Sequence, residues 1–171
     1  MNNSFSKIED FSSKEKLTTS WRIRFSTRKE GNLIYFTSAI VKELTHDSVL
    51  KVRLEELAQF DKSPDVNSFF VNGKQMWFDK LTRTSIAHSI EVEKESGKET
   101  TELYDNDGVK YILPIDEAIS LFNQVELYAK DCYNQTAYHK VQLAALDDVD
   151  ALLAYDIKAG YPEKLHFGVS E

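Results

Sequence analysis

The sequence contains little cysteine, proline or glycine: one, three and six residues respectively among 171. The single cysteine, Cys132, excludes an intrachain disulfide, so the chain does not depend on an oxidising compartment. Six glycines offer little material for the glycine-rich loops that bind nucleotides. No apolar run approaches the roughly 20 residues of a membrane span, and residues 1–20 lack the apolar core of a secretory signal. We therefore expect no membrane association and no secretion signal.

Basic residues are also outnumbered, because the chain has 21 lysines and arginines and 28 aspartates and glutamates, which gives a net charge of −7. This balance argues against general nucleic-acid binding. The charge is uneven: residues 21–60 hold seven basic and five acidic residues, whereas residues 114–171 hold four basic and ten acidic. A solvated acidic surface explains the second half. Steering toward a partner or a neighbouring subunit is the alternative.

Alternation of apolar and polar residues predicts strands in the first half of the chain. Trp21, Ile23 and Phe25 alternate with polar residues, and Leu33 to Val41 follows a turn signal. Asn72-Gly73, between two apolar segments rich in aromatic residues, is the strongest short hairpin signal in the sequence. We therefore predict a small antiparallel sheet in the N-terminal half.

The chain divides by composition into three parts. Residues 1–20 are rich in Ser, Asn, Lys and Glu and predict a flexible arm. Residues 21–78 form the β-rich part, although residues 49–57 fit the strand and helix periods equally well. Residues 79–171 form the helical part, which could be continuous with the β-rich part in one domain.

Helices dominate the predicted second half, so the fold class is α+β. A segment of few breakers predicts a helix from residue 79 to its stop at Gly97, and a hairpin follows over residues 100–113. Residues 114–146 contain no glycine and only an initial proline, which predicts one long helix of roughly 45 Å. That length exceeds the roughly 30 Å of a compact domain, so the helix either breaks near Asn134 or projects and packs on something else. A short helix and an edge strand are predicted after it.

Two surface ion pairs are predicted on these helices from sequence spacing alone. Asp79 and Arg83 lie one turn apart, and Glu126 precedes Lys130 by four residues in the favourable order. Each such pair contributes a few tenths of a kcal/mol, about 0.2–0.5.

Local motifs for catalysis or metal binding are missing. The four histidines show no spacing typical of zinc ligands. Asp105-Asn106-Asp107-Gly108 resembles a calcium loop only briefly, because a glycine at the sixth position would place Leu103 first, where an acidic ligand is needed. A turn explains these residues better. Cys132 falls on the apolar side of the predicted long helix, as a buried structural thiol does. We therefore predict no catalytic residue, no metal, no cofactor and no enzymatic activity.

Tyrosine is abundant, and seven of the eight tyrosines lie in the C-terminal half. A tyrosine buries ring area while its hydroxyl stays hydrated, which suits subunit contacts as well as the edge of a core. The long helix is then predicted to associate with a second copy, a dimer being favoured. The candidate interface residues are Tyr128, Cys132, Tyr133, Tyr155, Tyr161, Leu165 and Phe167.

Several segments of the C-terminal half carry a resemblance to a known family. They are Asn72-Gly73-Lys74-Gln75-Met76-Trp77-Phe78-Asp79-Lys80, Thr82-Arg83, Tyr111-Ile112-Leu113-Pro114, Glu126-Leu127-Tyr128-Ala129, Asp131-Cys132-Tyr133-Asn134, Thr136, His139, Ala154-Tyr155-Asp156 and Gly160-Tyr161-Pro162-Glu163-Lys164-Leu165. In these segments the stretch from about residue 72 to 167 resembles an uncharacterised domain family of bacteriophage and prophage proteins, including those of crAss-like phages of gut Bacteroidales. The resemblance covers just over half of the chain.

The resemblance implies a virion structural protein, often fibre-associated and without known catalytic residues. The leading hypothesis is a non-enzymatic virion protein, made in the host bacterial cytoplasm, that joins a head or tail fibre to the particle. Its expected partners are a second copy of itself and fibre or capsid proteins, with no nucleic acid and no membrane. The alternatives are a fibre-assembly chaperone, a neck or collar ring component, and, least favoured, a phage hydrolase.

Overall fold

The computed structural model describes residues 14–17, 19–30, 33–105 and 107–168. Among them are eight strands and four helices, which confirms the predicted α+β class. In chain order the elements are β1 (Lys14–Lys16), β2 (Trp21–Glu30), β3 (Leu33–Val41), α1 (His46–Asp61), β4 (Phe69–Val71), β5 (Lys74–Met76), α2 (Lys80–Glu95), β6 (Thr100–Tyr104), β7 (Lys110–Pro114), α3 (Ile115–Ala145), α4 (Val149–Ala154) and β8 (His166–Phe167).

The described residues form two compact units, and each combines segments from both halves of the chain. Unit 1 comprises the described residues of Met1–Ala58 with Tyr138–Ile157, and unit 2 comprises Gln59–Ala137 with the described residues of Lys158–Glu171. Helices α1 and α3 therefore contribute residues to both units. The division predicted from composition, by contrast, falls between residues 78 and 79.

Unit 1 contains the antiparallel sheet predicted from the alternating residues. Its strand order is β1-β2-β3, with Trp21 opposite Val41 and a bulge between Phe25 and Thr27. Residues 1–13 of the predicted arm lie outside the described residues, whereas Lys14–Lys16 form β1 and pair with β2. The buried apolar side chains of this unit are Ile23, Val49, Val52, Leu57, Leu143, Leu152 and Ile157.

Helix α1 resolves the ambiguity of residues 49–57 in favour of a helix. Its start is capped reciprocally, because the Ser48 backbone N–H donates to the Thr45 hydroxyl at 3.3 Å and the Thr45 N–H donates to the Ser48 hydroxyl at 3.0 Å. Val49, Val52 and Leu57 are buried, and Val52 and Leu57 follow Val49 by three and eight residues, which places all three on one side of the helix. The sequence of residues 49–57 fits the strand and helix periods equally well, and packing in the folded unit therefore decides for the helix.

Unit 2 contains two small sheets. In the first, β4 pairs antiparallel with β5 and parallel with β8, so the predicted edge strand near the C-terminus is present. The predicted hairpin turn is confirmed, since Asn72 and Gly73 both have positive φ angles, of 50° and 78°. In the second sheet, β6 pairs antiparallel with β7 alone among the described residues.

Helix α2 follows the predicted bounds closely. The Asp79 carboxylate caps it by accepting hydrogen bonds from the Thr82 N–H at 3.0 Å and the Thr82 hydroxyl at 2.7 Å. The backbone hydrogen bond from Thr82 is the main cause that lowers the pKa of Asp79. The helix ends before Gly97, which has a φ of +82°, as its predicted role as a stop requires.

Helix α3 is continuous over 31 residues, which confirms the predicted long helix and leaves out the alternative of a break near Asn134. It lacks proline and glycine along its length, and its buried residues keep the helical period through the position of the expected break. The buried residues on it are Ile115, Ala118, Leu121, Phe122, Val125, Tyr128, Cys132, Thr136, His139 and Leu143. Its other sides carry exposed apolar side chains, among them Leu127, Tyr133, Tyr138 and Val141.

Candidate functional site

The candidate functional site is a cleft of about 480 Å³ in unit 2, which we call the Trp77 cleft. Its apolar wall consists of Val66, Trp77, Ala129 and Cys132, contributed by the connection after α1, the residues before α2 and the middle of α3. Charged side chains surround this wall, and Tyr133 stands at the rim. The charged residues are Asp61, Lys62, Asp79, Lys80, Arg83, Glu126 and Lys130.

Arg83 links the two helices that border the cleft. Its guanidinium carbon lies 4.9 Å from the centre of the Trp77 ring, within cation–π range. Its Nε donates to the Glu126 carboxylate at 3.1 Å, and one terminal nitrogen donates to the Phe78 carbonyl at 2.7 Å. Arg83 is thus held on three sides, and it fixes the face of Trp77 that borders the cleft.

The two predicted surface ion pairs are both replaced in the structure. Arg83 forms its ion pair with Glu126 of α3 and not with Asp79, which caps α2. Glu126, engaged by Arg83, forms no ion pair with Lys130. Asp79 is already engaged as the cap of α2, and the Glu126 carboxylate lies within hydrogen-bond distance of the Arg83 side chain.

The charges around the cleft are not equally satisfied. Asp61 accepts a hydrogen bond from the Thr136 hydroxyl at 2.7 Å, and the other two carboxylates are engaged as described above. The ammonium groups of Lys62, Lys80 and Lys130 are exposed and form no hydrogen bond or ion pair within the residues that the structure describes. Four basic side chains against three carboxylates thus give the lining a small positive charge of +1, in a protein whose net charge is −7.

Tyr128 forms the rigid base beneath the cleft. Its hydroxyl donates to the Val66 carbonyl at 2.7 Å, and its ring meets Trp77 edge to face at a centroid distance of 6.4 Å. Burial raises the pKa of the Tyr128 hydroxyl and of the neighbouring Cys132 thiol. Both groups therefore stay neutral near pH 7, and Cys132 is the buried structural thiol that the sequence predicts.

Tyr161 and Tyr155 each hold a polar network inside one unit. In unit 2 the Tyr161 hydroxyl lies 2.8 Å from the Thr136 hydroxyl, and its ring meets Phe60 edge to face. In unit 1 the Tyr155 hydroxyl lies 2.7 Å from Nδ1 of the buried His139. These hydroxyls have partners in the chain itself, which is the role of a tyrosine at the edge of a core.

The structure places the seven candidate interface residues in different surroundings. Tyr133 is 72% exposed and stands at the rim of the Trp77 cleft. Tyr128 and Cys132 are buried in unit 2, and of these two only Cys132 lines the Trp77 cleft. Leu165 and Phe167 are partly buried and pack against the core of unit 2, as Tyr155 and Tyr161 pack in their own networks. Contact with a second copy stays a prediction.

Sequence reasoning missed Trp77, Arg83 and the three lysines as members of one site. Trp77 and Arg83 stand within the segments that carry the resemblance, but their spacing of six residues does not predict that they stack. The three lysines come from the turn after α1, from α2 and from α3, so only the tertiary structure brings them together. The signal available in the sequence was the presence of a tryptophan just before a capped helix.

The loop that briefly resembled a calcium site is organised around an internal cation. The Asp105 carboxylate accepts hydrogen bonds from the backbone N–H groups of Asp107 at 2.8 Å and Val109 at 2.9 Å. The Lys74 ammonium lies 2.7 Å from Asp105 and 2.5 Å from Asp107. An ammonium group thus occupies the position between the carboxylates, and the predicted hairpin turn accounts for the loop.

The described residues contain neither a metal-binding cluster nor a helix suited to a membrane span. No group of three or more His, Cys, Asp or Glu side chains there is placed to hold a metal ion. None of the helices within this part of the chain combines the length and the apolar character that a membrane span requires.

No model of a known protein family matches the chain, and neither a curated protein nor a solved structure matches it.

Proposed function

We propose that the protein is a non-enzymatic bacteriophage virion protein, an accessory or joint component that attaches a head or tail fibre to the particle. The observation that supports this proposal is that residues from the segments that carry the family resemblance line a single cleft. Residues that are about 50 positions apart in the sequence line it together. They are Trp77, Asp79, Lys80, Arg83, Glu126, Ala129, Cys132 and Tyr133.

Such a cleft suits a protein partner that presents a carboxylate beside an apolar side chain. Exposed ion pairs contribute only about 0.2–1 kcal/mol each, so the lysines favour an acidic segment without binding it tightly by themselves. Burial of an apolar side chain against Trp77 adds about 25 cal/mol per Å². Aromatic and arginine side chains at the centre of an interface, with charge at its rim, are typical of binding hot spots.

Self-association is part of the proposal, with a dimer favoured. The exposed apolar side chains on α3 support it, because Leu127, Tyr138 and Val141 are each more than half exposed. Light scattering behind a sizing column should give twice the chain mass of 19.7 kDa. A ring-sized mass would favour a collar component instead.

Mass spectrometry of purified virions tests the proposed location. We expect the protein in fixed stoichiometry with the fibre protein, after density-gradient purification that removes host proteins. Its absence from particles, together with its presence in infected cells, would contradict the proposal and favour the assembly chaperone.

A further inference from the structure

Strand β6 has an open edge. It pairs with β7 on one side, and no strand among the described residues pairs with its other side. The backbone groups on such an edge are free to bind a further strand.

The hydrogen-bonding pattern shows which residues face that edge. The Asp105 N–H donates to the Val109 carbonyl, and the Ile115 N–H donates to the Glu99 carbonyl, at the two ends of the ladder. In an antiparallel pair the bonded residues alternate, so Thr101 and Leu103 direct their backbone groups to β7. Thr100, Glu102 and Tyr104 consequently direct theirs away from β7.

A groove of about 310 Å³ runs along this edge beside α2. Its lining includes four consecutive residues, 101–104, of β6 and none of β7, so it lies on the open side of β6. The facing side comes from α2, where the partly exposed Ile86 supplies apolar surface, Ser85 and Ser89 are small, and Ile90 is buried in the core. Small side chains on the helix leave room for the backbone of an extended segment.

One end of the groove is acidic. Glu93 and Glu102 line it and also line an adjoining depression of about 410 Å³, which contains Glu99 as well. Lys98 in that depression pairs with Glu93 at 2.8 Å. Lys110 of β7 also pairs with Glu102, at 3.4 Å. Three carboxylates against these two ammonium groups leave a net negative charge of one.

The acidic end argues against a second copy of this chain as the occupant. Two β6 edges paired about a two-fold axis through the middle of the strand would place Glu102 opposite Glu102 of the other copy. Like charges directly opposite each other destabilise a strand pair. A segment with basic residues suits the same position.

We propose that an extended, lysine- or arginine-bearing segment of another protein adds to β6 as a third strand, in the groove beside α2. Backbone hydrogen bonds to Thr100, Glu102 and Tyr104 would provide the docking, an apolar side chain would contact Ile86, and a basic side chain would meet the acidic end. This site is separate from the Trp77 cleft and does not depend on the proposed virion role.

A labelled peptide of about six residues, with lysine and valine alternating, is the probe. Two further forms carry N-methyl groups on the odd-numbered or the even-numbered amides. Only one set of amides faces β6, so we expect one methylated form to bind about tenfold more weakly and the other to bind nearly as well as the parent. Equal binding of the two methylated forms, or no binding of the parent at millimolar concentration, would overturn the proposal.

Hydrogen exchange of the backbone amides of the protein locates its contact with the peptide. The amides of Thr100, Glu102 and Tyr104 should become protected when the parent peptide is added, whereas those of Thr101 and Leu103, already bonded to β7, should change little. Protection confined to other parts of the chain would contradict strand addition.

Two variants of α2 complete the test. Ser89→Trp fills the groove and should abolish binding of the parent peptide, whereas Thr84→Trp, at another exposed hydroxyl residue of α2 that does not line the groove, should leave it unchanged. Unchanged binding of the parent peptide by a Ser89→Trp variant with a normal melting curve would refute the site.

The acidic end of the groove has its own test. Glu102→Lys should favour binding of a glutamate–valine peptide over the lysine–valine one.

Discussion

Two arginine–glutamate pairs, one in each unit, show how the same chemistry serves different purposes. Arg53 and Arg83 are 4% and 6% exposed, and each pairs with a glutamate. In unit 1, Glu56 is as buried as Arg53, and the Arg53 guanidinium also donates to the Tyr155 carbonyl. In unit 2, the side chain of Glu126 is 49% exposed and lines the Trp77 cleft.

The difference indicates which pair is structural and which is available to a partner. Burial lowers the pKa of Arg53, opposed by the nearby carboxylate of Glu56, and the Arg53 Nε has no hydrogen-bond partner in the described part of the chain. A pair enclosed in this way exposes no surface to a ligand. The Arg83 pair keeps one carboxylate in solvent and presents the guanidinium against an aromatic wall, so a partner can contact it.

The largest loss of folding stability is expected for the substitution of Glu56. Glu56→Ala leaves the Arg53 charge buried without its carboxylate, which should cost about 3–5 kcal/mol, whereas Glu126→Ala should cost about 1 kcal/mol or less. Urea unfolding followed by circular dichroism measures both. The double variant Arg53→Met with Glu56→Leu removes both charges and should recover most of the stability. Equal losses for the two single variants would break the contrast between the pairs.

A smaller effect is expected at Arg83. Arg83→Met keeps the length of the side chain but removes the contact with Trp77 and the hydrogen bonds to Glu126 and Phe78, so we expect a loss of about 1–2 kcal/mol. Tryptophan fluorescence of the variant should also change, because the guanidinium no longer covers the Trp77 ring. Trp21, the second tryptophan, provides the unchanged background, and Trp21→Phe separates the two signals. An unchanged spectrum in that background would contradict the stacking.

The third prediction concerns acid stability in unit 2. The hydrogen bond from Lys74, followed by those from Val109, Asp107 and Tyr111, lowers the pKa of Asp105 to about 2 from its usual 3.8. Because the folded pKa is the lower one, Asp105 stabilises the fold above about pH 3.8, and this contribution is lost as the pH falls toward 2. Asp105→Asn should therefore lower the melting temperature at pH 6 and make it less dependent on pH between 4 and 2. The same pH dependence in the variant and the wild type would contradict this role.

The smallest effect on stability is expected at the lysines of the cleft. The double variant Lys80→Glu/Lys130→Glu changes two exposed side chains that have no partner in the described chain. Its free energy of unfolding should therefore differ from that of the wild type by about 0.5 kcal/mol or less. Thermal melting measures this shift. A large loss of stability would show that the lysines serve the fold and not a partner.

Local signals predicted much of the fold. Asn72-Gly73 marks a two-residue turn and Gly97 stops α2, because each depends on the backbone conformation of a few neighbouring residues. The long helix was predictable for the same reason, since it contains no breaker. The alternative of a break near Asn134 rested on a domain size inferred from chain length, which carries no information on how long a single helix is within that domain.

Contacts between residues far apart in the sequence were not predictable. The partner of Glu126 lies 43 positions away in the sequence at Arg83, whereas i, i+4 spacing favours Lys130. The parallel pairing of β8 with β4 and the convergence of three lysines at one cleft depend in the same way on packing between distant segments. Composition identified tyrosine as an interface residue, yet most of these tyrosines satisfy their hydroxyls within the chain.

Incorporation of variants into particles tests the central claim most directly. A phage that lacks the gene is complemented with the wild type, with Lys80→Glu/Lys130→Glu, or with the control Lys51→Glu/Lys140→Glu, which makes the same charge change at exposed positions outside the Trp77 cleft. Mass spectrometry then counts copies of the protein and of the fibre in each purified particle. We predict that the cleft variant is folded but lost from particles, together with the fibre, while the control is retained. Equal incorporation of the two variants would contradict the account.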